Sequence, residues 1–428
     1  MGDILFLAHR MPYPPDKGEK IRAYHVLRHL AKDFRIHLGC FADDPGDLRH
    51  VERLREHCAS LFVAPLGRKK ALIRGLGGLA MGGSLSESYF RDRRMVRFVA
   101  ETIARVRPEN IFLFCSAMAP YAMAYASTHR VLLDMVDVDS EKFRAYGEKA
   151  AWPLSTLYAA ESRALLRLER RSAMAFDRSF FVSKAEAGAF LAQAPEAAAR
   201  VSYFENGVDL DYFNPARQFP NPFAQAAAPL VFTGTMDYRP NVEAVEWFAD
   251  RVFPGLLRDS PGCEFWIVGA NPAPRVNKLA ERPGIRVTGR VPDVRPYLAH
   301  ASCVVAPLHI ARGVQNKMLE AMAMARPVVA TPAACEGLSA VAGSEVLLAD
   351  TASAFARAVC AIVSGEIRGL GRKARTRVET DYNWPRNLDV LSGLFNRRGD
   401  VRDGPDDHSR GTGEMIVEAQ SPVMGIAS

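Results

Sequence analysis

The chain has 428 residues, of which 48% are hydrophobic and 24% charged, the balance of an ordinary soluble globular protein with room for about two domains. No apolar run reaches the ~18 residues that a membrane-spanning helix needs, and the seven cysteines are scattered without a Cys-x-x-Cys pair, which argues against a structural zinc site and for a reduced chain with buried thiols. Met1-Gly-Asp runs straight into Ile4-Leu-Phe-Leu7, too short and too acidic a start for a signal peptide, so a cytoplasmic location is expected.

In chain order, short apolar strands alternate with helical stretches, the pattern of a parallel sheet covered on both faces. In the first half the expected strands are 4–9, 35–41, 60–65, 110–115, 131–136, 179–182 and 201–204, with helices such as 19–32 and 152–175 between them. After the first strand comes His9-Arg-Met-Pro-Tyr-Pro-Pro-Asp-Lys-Gly18, a stiff loop in which Gly18 opens a helix N-terminus. Amides there suit a phosphate, although a rigid connector with a glycine turn is also adequate. His9 and His25 read as structural or loop residues.

The net charge is +7, and the excess is concentrated between residues 66 and 105, where nine basic residues face only Glu87, Asp92 and Glu101. This cluster borders the apolar, Gly-rich run from Ala71 to Leu85. Basic and apolar residues side by side suit docking on an anionic membrane surface such as the cytoplasmic face of an inner membrane; a solvated loop and helix face is the alternative. No aromatic-interleaved basic strand is present, so nucleic acid is not an expected partner.

Asp134-Met-Val-Asp137-Val-Asp139-Ser-Glu141 places acids at the end of an expected strand. Asp137 and Asp139 are candidates for binding an acceptor hydroxyl or supporting charge in the transition state, in preference to holding a metal. Residues 215–229 lose all apolar period and read as a linker between domains 1–214 and 230–383. The second half then offers strands at 230–234, 264–268, 285–288, 303–307, 328–331 and 346–348. The fold class expected is α/β, two doubly wound Rossmann-like domains facing across a cleft, with ligands outside the carboxyl ends of the strands. The Gly-, Asp- and Ser-rich segment 397–428 reads as a disordered tail.

The most specific stretch is Arg312-Gly-Val-Gln-Asn-Lys-Met-Leu-Glu320-Ala-Met-Ala-Met-Ala-Arg-Pro-Val-Val-Ala-Thr331. It reads as a glycine turn, a helix, a Pro-marked break and a β-branched strand. Gly313 lets a ligand approach the backbone, and the helix start offers unpaired amides to a phosphate. Lys317 and Glu320 share a helix face, one suited to a phosphate and the other to sugar hydroxyls. Gly234 at the exit of its strand permits a second close approach.

Leu319-Glu-Ala-Met-Ala323 followed by Arg326-Pro-Val-Val-Ala-Thr331 resembles the donor-binding signature of retaining glycosyltransferase family 4, enzymes of the GT-B fold. Asn206-Gly-Val-Asp209, Val268-Gly269, Gly289-Arg-Val-Pro-Asp293 and Tyr382-Asn-Trp384 extend the likeness in the right order. Pro12-Tyr-Pro-Pro-Asp-Lys-Gly18 with Lys20-Ile-Arg22, Asp137-Val-Asp-Ser-Glu141 and Gly313-Val-Gln-Asn-Lys317 resemble more narrowly the sugar transferases of bacterial PEP-CTERM/exosortase exopolysaccharide loci.

The resemblance implies transfer of a hexosyl unit from a nucleoside diphosphate sugar to a glycan or lipid-linked acceptor, with no metal or other cofactor. It implies that Gly18, Gly234, Gly313 and Val314 border the donor, that the Val291 backbone reads the base, and that Glu320 takes the ribose. It also implies that the helix 384–396 crosses back to the first domain. Lys317 and Arg312 would join Asp137 and Asp139 as catalytic candidates. Three departures stand out. Arg312 sits where most members carry a Glu. The usual Arg and Lys after Gly234 are absent, with Arg239 the nearest substitute. Cys115-Ser116 replaces a His. These departures keep two rivals open: a nucleotide-sugar epimerase, and a non-catalytic nucleotide-sugar-binding component of an assembly complex.

Overall fold

The computed structural model describes residues 1–15, 18–223, 228–311 and 313–396; Arg312 and the segment 397–428 therefore lie outside the described residues. The first domain contains strands Gly2–Ala8 (β1), Phe34–Ala42 (β2), Ser60–Pro65 (β3), Asn110–Phe114 (β4), Arg130–Val136 (β5), Arg178–Phe181 (β6) and Val201–Tyr203 (β7). They form one parallel sheet in the order β3-β2-β1-β4-β5-β6-β7. The second contains Ala228–Thr233 (β8), Cys263–Val268 (β9), Ile285–Gly289 (β10), Cys303–Ala306 (β11), Val328–Ala330 (β12) and Leu347–Leu348 (β13), in the parallel order β10-β9-β8-β11-β12-β13. Every strand lies within two residues of its expected bounds, and β8 begins at Ala228, inside the end of the expected linker.

The inner strands of both sheets are buried on both faces, as in parallel sheets covered by helices, while the edge strands β3, β7, β10 and β13 are half-buried. Along β1, Leu5 and Leu7 enter one core while Ile4, Phe6 and Ala8 enter the other, all fully buried. This is the two-residue alternation of a strand packed between helices. In each sheet the strand order reverses at one place, between β1 and β4 and between β8 and β11. Crevices open outside the carboxyl ends at such reversals.

The Trp384–Asn396 helix packs on the first domain: Trp384, Leu388, Leu391 and Phe395 join its core, each worth ~1.5–3 kcal/mol by area removed from water. Its start is clasped by the Asn206-Gly-Val-Asp209 segment. The Val208 amide donates to the Tyr382 carbonyl at 2.9 Å, and a Cβ on Gly207 would fall 2.7 Å from the Trp384 nitrogen. Two of the family-like motifs thus hold the crossover joint together. A cavity of about 310 Å³ beside this joint is lined by His25, Arg28, Asp209 and Trp384 among others. His25 stacks on Trp384 at 4.8 Å, and burial pushes its imidazole down to about 4, which fits a structural role.

Candidate functional site

The second domain presents a glycine-built edge. Gly234 follows β8 and Gly269 follows β9, with φ +156° and +155°. A Cβ on Gly269 would fall 1.7 Å from the Gly234 carbonyl oxygen, so the two turns touch only because that side chain is absent. Asn241, in the first turn of the Arg239–Trp247 helix, donates to the Thr235 carbonyl at 2.9 Å and so holds the turn after Gly234. Its Oδ1 accepts from Lys317 Nζ at 2.5 Å.

Lys317 belongs to the Asn316–Ala323 helix, whose N-cap residue Gln315 makes no side-chain capping bond. The Met318 amide donates to the Gln315 carbonyl at 2.9 Å, and the amides of Asn316 and Lys317 ahead of it are directed at the space in front of the helix. Gly313, at φ +61°, turns the chain into this helix, and nothing lies within 4 Å of where its Cβ would be. Val314 beside it is buried in the core and fixes the turn from below. Lys317 also lies over the Phe232 ring, 4.1 Å from its centroid. Among the described residues its partners are thus a neutral amide and an aromatic face, and burial pushes its pKa down to about 7, opposed by Glu320. Burial likewise pushes Glu320 up to about 7, with Lys317 opposing. Among the described residues the Glu320 carboxylate makes no hydrogen bond or ion pair. A half-buried carboxylate without a partner is costly and is ready to accept hydroxyl donors.

Val291 lies on the same side of the second sheet, after β10, and its backbone makes no hydrogen bond to the described residues. Its neighbour Asp293 is held by Arg295, which stacks on Tyr212 at 3.7 Å. Arg239, by contrast, is 79% exposed and paired with Glu243 at 2.6 Å. The structure does not bring it to the site.

Across the cleft, Gly18 begins the Gly18–Leu30 helix, and its missing Cβ would lie 3.4 Å from Asn316 Nδ2. The helix start of one domain therefore meets the helix start of the other. Lys20 and Arg22 are consumed internally. Lys20 donates to Asp47 at 2.6 Å, and Arg22 clamps buried Asp134 at 2.7 and 3.1 Å while donating to the Phe204 carbonyl and to Asn206. Asp134 is thus structural, whereas Asp137 is exposed at the strand end. Asp139 heads the Asp139–Lys149 helix, where burial pushes it up to about 6 against the pull of Lys142, 3.8 Å away. Tyr238, in the turn after β8, lies within electrostatic reach of Asp137, Lys142 and Tyr146, so this acidic edge faces the second domain.

Two non-glycine residues at the same edge have left-handed backbones, Cys115 after β4 (φ +80°) and Val136 at the end of β5 (φ +70°). For a β-branched residue this is a strained conformation, and strain of this kind gathers at functional edges. Among the described residues Ser116 Oγ and His9 Nδ1 are buried there without a hydrogen-bond partner, His9 being stacked on Phe114 and pushed down to about 4 by burial.

With this geometry in place, comparison with known proteins decides the architecture. The chain aligns over 92% of its length with sucrose-phosphate synthase from Thermosynechococcus elongatus, covering 98% of that protein at TM-score 0.65 and 17% identity. The architecture is GT-B. Anabaena HepE, solved with UDP and glucose, matches at TM-score 0.63 and 14% identity over 92% of this chain and 99% of HepE. A putative UDP-N-acetylglucosamine 2-epimerase from Listeria monocytogenes shares the GT-B fold at TM-score 0.56 and 11% identity, over 95% of this chain and 100% of that one. Residues 228–364, the glycine-edged domain, match the family model described as glycosyl transferases group 1. No curated protein matches the sequence.

Sequence reasoning missed Asn241, which couples the Gly234 turn to Lys317, and Asn316, which faces Gly18. Asn241 carried a readable signal. It falls on the inward stripe of its helix with Val242, Ala244 and Val245, and a polar residue on such a stripe needs partners. Asn316 carried none, because its neighbour comes from the other domain.

Proposed function

We propose that the chain is a retaining glycosyltransferase that moves a hexosyl unit from a nucleoside diphosphate sugar to a glycan or lipid-linked acceptor, in exopolysaccharide synthesis. One observation carries the reading: Lys317 and Glu320, a half-buried cation and a carboxylate without a hydrogen-bond partner among the described residues, flank a helix start that lacks a side-chain cap and faces the other domain across the cleft. The diphosphate sits against the amides of the Asn316–Ala323 helix and Lys317, with Gly234, Gly313 and Val314 giving room; Glu320 accepts from the ribose hydroxyls, and Val291 meets the base.

As the glycosidic bond loosens, negative charge grows on the departing diphosphate. Lys317 and the helix amides stabilise it without reorganising, because they are already aimed at it. An oxygen of that leaving group takes the proton of the incoming hydroxyl, so no strong enzymic base is required. Asp137 and Asp139 orient the acceptor on the opposite wall, and cleft closure excludes water.

The fold does not separate transfer from epimerisation; the group 1 match over residues 228–364 favours transfer. A thermal-shift screen of UDP-, GDP- and ADP-sugars finds the donor, since a ligand of the native state raises stability by mass action. Nucleoside diphosphate released only when acceptor is present supports the reading. Interconversion of the donor sugar without acceptor marks an epimerase, and binding without turnover marks a non-catalytic component.

A further inference from the structure

The Arg68–Ala80 helix is built inside out for a helix on a soluble domain. Its small residues Ala71, Gly75 and Gly78 are the buried ones. A Cβ on Gly75 would fall 3.0 Å from the Leu85 side chain, and one on Gly78 would fall 1.8 Å from Ser88 Oγ, so these positions pack tightly on the Leu85–Tyr89 helix. With 3.6 residues per turn, the large aliphatic residues Leu72, Ile73 and Leu76 are then carried to the outer side. Ile73 is 71% exposed, and Met81 at the end of the helix is 85% exposed. Arg68, Lys69, Lys70 and Arg74 are exposed along the same segment, and no acid occurs between Gly67 and Ser86. Behind it, Glu161 accepts from Ser84 Oγ and from the amides of Leu85 and Ser86, which ties the support of this helix to the Leu154–Ala175 helix.

We propose that the outer face of the Arg68–Ala80 helix, with Met81, lies in the interface of an anionic lipid bilayer, with Leu72, Ile73, Leu76 and Met81 among the acyl chains and Lys69 and Lys70 at the headgroups. Outward aliphatics flanked by Lys and Arg are what an in-plane interfacial helix requires. Charge decides the occupant. A second copy docking through the same patch would set one acid-free cationic helix against another, whereas anionic headgroups neutralise it. No helix among the described residues is long and apolar enough to cross a membrane, so this contact is peripheral. The proposal goes beyond the transferase reading, because vesicle binding needs neither donor nor acceptor.

Flotation of the full chain with vesicles of phosphatidylcholine alone, and of phosphatidylcholine mixed with phosphatidylglycerol, tests it. Binding is expected only to the mixed vesicles and is expected to fall as salt rises. The double variants I73E/L76E and K69E/K70E should each weaken it at least about tenfold. These side chains are exposed, so far-UV circular dichroism and melting temperature should stay at wild-type values. Equal binding by wild type and folded variants overturns the proposal. So does a wild-type chain that ignores the vesicles, whether it stays a monomer or forms a dimer that I73E/L76E dissolves.

Discussion

The two walls of the cleft are built by different means. The second domain offers backbone: two touching glycine turns, an uncapped helix start, and one lysine and one glutamate held in reserve. The first domain offers side chains: Asp137, Asp139 and Lys142 on a strained strand edge, with its most conspicuous basic residues, Lys20 and Arg22, locked into internal ion pairs. A diphosphate is the same object whatever sugar it carries, so backbone amides and a lysine can serve many relatives. An acceptor is individual, and side chains must describe it. Residues 228–364, which carry the backbone-built wall, are the part that matches the family model.

The substitution expected to strike hardest at this contrast is R22A. Removing the guanidinium leaves Asp134 buried and unpaired, which should cost about 3–5 kcal/mol of stability in urea unfolding. The protein that remains folded should keep wild-type affinity for nucleoside diphosphate; a matching loss of affinity would show that the first domain's ion pair belongs to the donor site. G269A comes next. Its Cβ cannot coexist with the Gly234 carbonyl, and about 1–3 kcal/mol of strain should be accompanied by loss of donor binding in calorimetry. If the variant binds donor normally, the glycine edge is only packing.

E320A should weaken nucleotide binding by ~1.5–3 kcal/mol, the range of a charged hydrogen bond. An unchanged calorimetric affinity would remove Glu320 from the site. The smallest effect is R239A. An exposed i,i+4 ion pair adds almost nothing to stability, so the melting temperature and donor affinity should not move. A large loss of affinity there would mean that Arg239 swings into the cleft when donor binds.

Much of this was legible in the sequence. Strands such as Ile4-Leu-Phe-Leu-Ala8 are continuous apolar runs between turn residues, and the helix carrying Lys317 and Glu320 is announced by Gly313 before it and Pro327 after it. The site was less legible where partners come from afar. Nothing local distinguishes Asp134, which is a structural anchor, from Asp137 and Asp139, because the difference lies in Arg22, more than a hundred residues away. Arg239 followed the right strand and invited a phosphate role, yet Glu243 one helical turn later was enough to hold it on the surface. The outward aliphatics at Leu72, Ile73 and Leu76 were visible only as a composition, since their direction is set by Ala71, Gly75 and Gly78 packing on the Leu85–Tyr89 helix.

The central claim is that a diphosphate binds at the start of the Asn316–Ala323 helix beside Lys317. The most direct measurement is a pair of calorimetric titrations, with the best-binding of UDP, GDP and ADP and with its parent nucleoside, on wild type and K317A across pH 6 to 9. A lysine depressed to about 7 must take up a proton to meet the phosphate above that pH. Wild-type affinity for the diphosphate should therefore fall with rising pH by up to about tenfold per unit, while K317A should bind it at least about tenfold more weakly at pH 7, without that slope and with nucleoside binding unchanged. Equal diphosphate affinity in the two proteins, or a parallel loss for the nucleoside, would contradict the assignment.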